Sequence, residues 1–291
     1  MYYYSWAYSY PFLPEMMGFW AFVVFVFGTC IGSFLNVCIW RIPRDESILS
    51  PSSRCPKCGH WIRWYENIPL LSWTFLRGKC SQCGQKISFR YFFVELLTGV
   101  LFLLVWLKII FEQKPLALAI IYFAVTMLIV TTVFIDFEHR IIPDETTYPV
   151  MLVGLAVPLI FPEVWGRSER FGSFLVSFSG FALALLLMLA FSLVGRRIFR
   201  REALGLGDVK YMAAMGACFG IPGFIFILFI GSLLGSLGGI AKSFIRKRKL
   251  RRLAIPFGPY LALAAYLWML YGPNLLQWYL QLLNSAAVKF K

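Results

Sequence analysis

Long apolar runs separated by short charged or turn-rich breaks dominate this chain, and windows of about 20 apolar residues predict membrane-spanning helices. Eight such windows are read, at about 17–40, 92–111, 116–135, 146–162, 172–195, 209–221, 224–243 and 257–280. The sixth is short and contains glycine. The Gly-Ile-Pro-Gly turn from Gly220 to Gly223 makes it either a re-entrant segment or a tight hairpin with the seventh. Between the first two windows lies a polar loop of roughly 50 residues, Arg41 to Arg90, too short to build a core without a staple. The expected architecture is an all-α polytopic membrane protein of about eight transmembrane helices with a small loop domain. Its divisions are 1–16, an N-terminal extracytoplasmic segment; 17–40, the first transmembrane helix; 41–90, the loop domain; and 91–285, the remaining bundle.

Composition sharpens this picture. With 59% hydrophobic and 14% charged residues and a mean hydropathy of +0.71, a soluble domain is excluded. Met1 to Tyr10 is aromatic rather than basic, so no cleavable signal peptide is expected, and the aromatic stretch suits an interfacial anchor. The net charge is +14, and 22 of the 28 Lys and Arg residues fall in alternate breaks between the predicted spans. The positive-inside rule places those breaks in the cytosol and both termini outside. Such charge meets the anionic headgroups of the lipid bilayer, and no nucleic-acid partner is needed to account for it.

The loop supplies its own staple. Cys55-Pro-Lys-Cys58-Gly and Cys80-Ser-Gln-Cys83-Gly are two CxxC pairs with the spacing of a zinc ribbon. Two disulfides are the alternative, but cytosolic thiols stay reduced. Four protein ligands leave no open position, so the expected Zn2+ is structural. Cys30, Cys38 and Cys218 lie in apolar segments and read as small buried hydrophobes.

Acids at the edge of a membrane are costly and carry a functional reading by default. Three qualify: Glu95, Asp136 and Asp208. Asp136 closes the third span and Asp208 opens the sixth, so two carboxylates from different helices meet at one membrane depth. Such a pair shares a proton, one acid activating water while the other polarises a carbonyl. Taken alone, Asp208 reads equally as a helix N-cap, and Asp136 as an interfacial loop residue. Asp144 competes with Asp136 for the second role, but its Pro-Asp-Glu-Thr setting suits N-capping of the fourth span. Gly205 and Gly207 clear side chains from the approach to Asp208, either for a peptide or simply as a flexible turn.

Several motifs together resemble the bacterial type IV prepilin peptidases: "GSFLNVCIWRIP" from Gly32, the two CxxC pairs, "RYFFVELLTG" from Arg90, "IDFEHRIIPD" from Ile135, "GLGD" from Gly205 and "IPFGPYL" from Ile255. The resemblance covers about residues 18 to 270, and its GxGD motif is shared with presenilin-type aspartyl proteases. It implies a bifunctional inner-membrane enzyme. That enzyme cleaves the basic leader of prepilins or pseudopilins on the cytosolic side, after a glycine, and methylates the new N-terminus with S-adenosylmethionine. The catalytic aspartates it implies are Asp136 and Asp208, with Gly205, Gly207 and Asp144 in the supporting loop; the zinc ligands are Cys55, Cys58, Cys80 and Cys83. No GxGxxG cradle marks a methyl-donor site, so the cysteine loop, with which the methyltransferase is associated, and its flanking Glu95 are the candidates. The many cations of the cytosolic face suit a basic leader poorly unless Glu66, Glu95, Glu138 or Glu202 receives it. A peptidase without methyl transfer, a transporter with acids at helix breaks, and a non-catalytic anchor docking through the zinc loop are the competing readings. Oligomeric state is not legible.

Overall fold

The computed structural model describes residues 16–199, 204–246 and 256–289. The aromatic N-terminal stretch, Arg200 to Glu202, the basic run from Lys247 to Arg252, Ile255 and Lys291 lie outside the described residues. A chain in hydrocarbon must satisfy its backbone internally, which favours helices. The named elements are accordingly helical: α1 Met17–Arg41, α2 Leu71–Phe75, α3 Phe89–Phe111, α4 Leu118–His139, α5 Asp144–Ile160, α6 Arg170–Phe199, α7 Leu206–Arg246 and α8 Gly258–Lys289. Among the described residues, strand pairing is confined to two isolated bridges in the cysteine loop. Five helical segments there are long and apolar enough to span a membrane: Met17–Arg44, Phe89–Phe111, Leu118–His139, Arg170–Ile198 and Leu206–Ile245. The 17-residue α5 and α8 fall outside that set.

The chain divides into two compact units. The first holds α1 up to Cys38 and Ser47–Ala119. Here α1 and α3 approach closely, for a Cβ on Gly32 would lie 2.7 Å from Glu95 Cα. Small residues permit such contact where lipid tails remove the hydrophobic drive between helices. Asn36 Nδ2 donates to the Tyr91 carbonyl across the same interface at 3.0 Å. Ser88 caps α3, its hydroxyl accepting from the Arg90 N–H, so the helix starts three residues before the predicted 92.

The second unit holds Ile39–Glu46 and the chain from Ile120 onward. Its centre is the first arm of α7, where Val209, Tyr211 to Met215 and Ala217 to Phe219 are all buried. Helices α5, α6 and α8 pack around α7. Gly180 of α6 and Gly216 of α7 face each other so closely that a side chain on either would strike the other's backbone. At Gly220 the backbone leaves the helix with φ 65° and ψ −169°, a region open only to glycine. The arm before it runs towards Trp165, which lies 3.1 Å from the Cβ position of Gly220. The arm after it returns, Gly231 lying against Leu261 and Gly238 against Tyr260, near the start of α8. The sixth and seventh predicted spans are thus the arms of one helical hairpin.

Candidate functional site

Asp136 sits in the last turn of α4 and is 5% exposed. The Gly258 N–H, at the start of α8, donates to Asp136 Oδ2 at 3.0 Å. Proline has no N–H, so the Pro259 that follows leaves Gly258 as the free donor of this helix start. The contact requires glycine, because a Cβ there would sit 2.8 Å from Asp136 Oδ2 and 3.0 Å from Thr132 Cγ2. A helix N-terminus favours negative charge beside it. Thr132, one turn earlier, is buried, and its hydroxyl has no hydrogen-bond partner among the described residues.

Asp208 occupies the third position of α7, and its carboxylate accepts the backbone N–H of Gly205, the residue before the helix. That is half of a capping box, so capping and a chemical role coexist in one side chain. The carboxylates of Asp136 and Asp208 are near enough for the charge of one to act on the other. Neither Gly205 nor Gly207 adopts a positive φ. Their use is proximity: a Cβ on Gly207 would lie 3.1 Å from Ile142 Cβ, and one on Gly205 would lie 3.3 Å from Asp208 Oδ2. The α4–α5 connection therefore packs directly on the Gly205–Asp208 turn.

Asp144 does not cap α5. Pro143 is the N-cap residue and has no side-chain cap bond, while Asp144 is the first helical residue. Its carboxylate receives Lys210 Nζ at 2.9 and 2.6 Å, and the ammonium lies 5.3 Å from the Tyr148 ring centroid. The ion pair ties the start of α5 to the residue two beyond Asp208. Sequence reasoning gave no role to Gly258 or Lys210. The Gly-Pro pair at a helix start was the available signal for the first; nothing local marks the second.

In the first unit the four Sγ atoms of Cys55, Cys58, Cys80 and Cys83 lie within 4.8 Å of one another, with Cys55–Cys83 at 3.8 Å and Cys58–Cys80 at 4.0 Å. A tetrahedron with Zn–S bonds of about 2.3 Å has edges of about 3.8 Å, so the set fits a zinc ion. The two halves repeat one geometry. Bridges at Arg54–Trp61 and Lys79–Lys86 bracket the pairs, Gly59 N–H bonds Cys55 O and Gly84 N–H bonds Cys80 O, and both glycines have positive φ, 71° and 69°. Backbone N–H groups of Cys58 and Lys57 bring the Cys55 thiol down to about 6, and those of Cys83 and Gln82 lower that of Cys80, whereas the Cys58 thiol is pushed up to about 11. Glu66 binds the halves together, bonded by the Ser81 hydroxyl, the Arg63 N–H and His60, and is held at about 2. Glu66 is therefore committed within the module.

Glu95 is buried in α3 and bonded by the Leu70 N–H at 2.8 Å and by the Ser33 hydroxyl. Asn36, only 2% exposed, has its Oδ1 without a partner among the described residues. These are the acceptors that the α1–α3 interface offers beside the cysteine module.

Comparison with known proteins now adds identity to geometry. Residues 26–109 match the bacterial peptidase A24 N-terminal domain and residues 122–240 match the type IV leader peptidase family. A prepilin leader peptidase/N-methyltransferase of Myxococcus xanthus is 42% identical over 231 residues, covering 78% of this chain and 65% of its own length. Proteins of the same name from Aeromonas salmonicida and Dichelobacter nodosus are 34% and 35% identical over 283 residues, covering 89% and 87% of this chain and 93% and 92% of their own. No solved structure matches. The chain belongs to the type IV leader peptidase family.

Proposed function

We propose that this protein is a membrane endopeptidase that removes the leader of prepilins or pseudopilins and then methylates the new N-terminus. The observation that carries the reading is the carboxylate pair: Asp136 and Asp208 stand on separate helices near enough for the charge of one to act on the other, each anchored by the N–H of a glycine. Asp136, beside the N-terminus of α8, carries the charge and takes the proton of the attacking water. Asp208 donates to the scissile carbonyl as the tetrahedral intermediate forms. An intact substrate helix hides its carbonyls, so the substrate unwinds locally at the cleavage point. Gly205, Gly207 and the Asp144–Lys210 pair hold the loop that receives it. The pair faces the cytosol of the bacterial inner membrane with both chain termini outside, a placement that the distribution of Lys and Arg supports.

Zinc, held by Cys55, Cys58, Cys80 and Cys83, is structural. S-adenosylmethionine supplies the methyl group. Asn36 and Glu95 are the acceptors that fit its positively charged end, and this chain's part is to bind and orient it. The test uses purified protein, a prepilin-like membrane substrate and S-adenosylmethionine with a labelled methyl group. The expected result is release of the leader and label on the new N-terminus. An uncut substrate overturns the peptidase; cleavage without label overturns the methyl transfer.

A further inference from the structure

The segment Ile68-Pro-Leu-Leu-Ser-Trp-Thr-Phe-Leu76 stands out within the polar cysteine loop, because it is apolar and lies between Glu66 and Arg77. It is not the core of the module. Phe75 is 81% exposed and Leu71 53%. Its level along α3 is set by a hydrogen bond: the Leu70 N–H reaches the carboxylate of Glu95, six residues inside a helix that begins at Phe89 and is long and apolar enough to span a membrane. Six residues of helix are about 9 Å. Trp73 packs at the start of the same helix, its ring 5.6 and 5.3 Å from those of Phe89 and Phe92.

The backbone is also prepared for a place without water. The N–H of Ile68 bonds Ser72 Oγ at 2.8 Å, and those of Leu71, Ser72, Thr74 and Leu76 bond carbonyls of the segment itself. Trp73 Nε1 bonds the Ile87 carbonyl at 3.4 Å. In lipid each unmade bond costs several kcal/mol, whereas a cytosolic loop has water to spare. Leu70 holds the left-handed φ of 61°, strain for a side chain this large. That strain turns its N–H into the helix interface and leaves Leu71 and Phe75 outside. Arg77 follows the segment directly, and Arg63 stands five residues before it, with Glu66 between them engaged by the Arg63 N–H and His60.

We propose that Ile68–Leu76 is an interfacial membrane anchor, inserting Leu71 and Phe75 at the boundary between acyl chains and anionic headgroups while the two cysteine knuckles stay in water. Amphipathic, basic-flanked segments bind membranes in this way. The inference depends on the membrane reading of α3 and not on the peptidase reading, and its readout contains no cleavage step.

The test places a benzophenone amino acid at Phe75, at Leu71 or at Lys57 of the knuckle in the full-length protein. Phe75 and Leu71 are exposed, so an aromatic replacement leaves the packing intact. Each protein is reconstituted in liposomes of mixed anionic and zwitterionic phospholipid, irradiated, and weighed by mass spectrometry. Lipid adducts are expected at 75 and 71 at about tenfold the level at 57, because only an inserted side chain meets acyl carbon. Equal adduct at all three positions, or none at 75 and 71, overturns the anchor.

Discussion

In the cysteine module four thiols converge within 4.8 Å of one another and complete a tetrahedron from protein alone, whereas Asp136 and Asp208 come from two helices and are each fastened by one glycine N–H. The first arrangement is closed and local. The second is distributed, assembled from α4, the first arm of α7 and the start of α8. A closed set of ligands stabilises structure and offers no vacant position; the acid pair is the arrangement proposed above to act on water and a peptide.

The largest effect that would sharpen this contrast comes from the module. Cys80→Ser with Cys83→Ser should take zinc from about one per chain to nearly none, removing a structural metal of ~10–16 kcal/mol apparent binding energy. Metal analysis and proteolysis of the loop measure it. Gly258→Ala should act on the other side alone: a Cβ 2.8 Å from Asp136 Oδ2 displaces the carboxylate. Cleavage is expected to fall about 10²-fold in kcat with zinc retained, as catalytic groups moved by about 1 Å lose that much. Lys210→Met should be milder. The Asp144–Lys210 pair is partly exposed, so thermal unfolding should reveal a loss of no more than about 1 kcal/mol, with a smaller fall in cleavage than Gly258→Ala.

The smallest effect is one of pH. The Glu66 carboxyl is lowered in the folded module, so its contribution is complete above the unfolded value of about 4.3. It fades as pH falls towards about 2. Wild type and Glu66→Gln should therefore differ in hydrogen exchange of the knuckle amides at neutral pH and converge in strong acid.

What could be read in advance follows the range of each interaction. Each cysteine knuckle is closed by contacts four to seven residues apart, so CxxC spacing and the following glycine announce it. The hairpin at Gly220 was legible because only glycine takes its conformation, and Pro222 follows closely. Asp136 and Asp208 were paired by topology, through the alternation of spans and positive loops. The cap expected of Asp144 is not made, since Pro143 is the N-cap residue, and its ion-pair partner, Lys210, is 66 residues away. Gly258 lies 122 residues from Asp136, and no periodicity carries information over that distance. Glu66 looked like a free acid for a basic leader, but the Arg63 N–H and His60 hold it within the module; Glu95 looked equally free, but it is buried and accepts the Leu70 N–H.

The central claim is that cleavage belongs to the carboxylate pair and not to the metal module. Purified Asp136→Asn and Asp208→Asn should each retain about one zinc per chain yet lose at least about 10³-fold in cleavage of a prepilin-like substrate. Cleavage at the wild-type rate by either variant would contradict it.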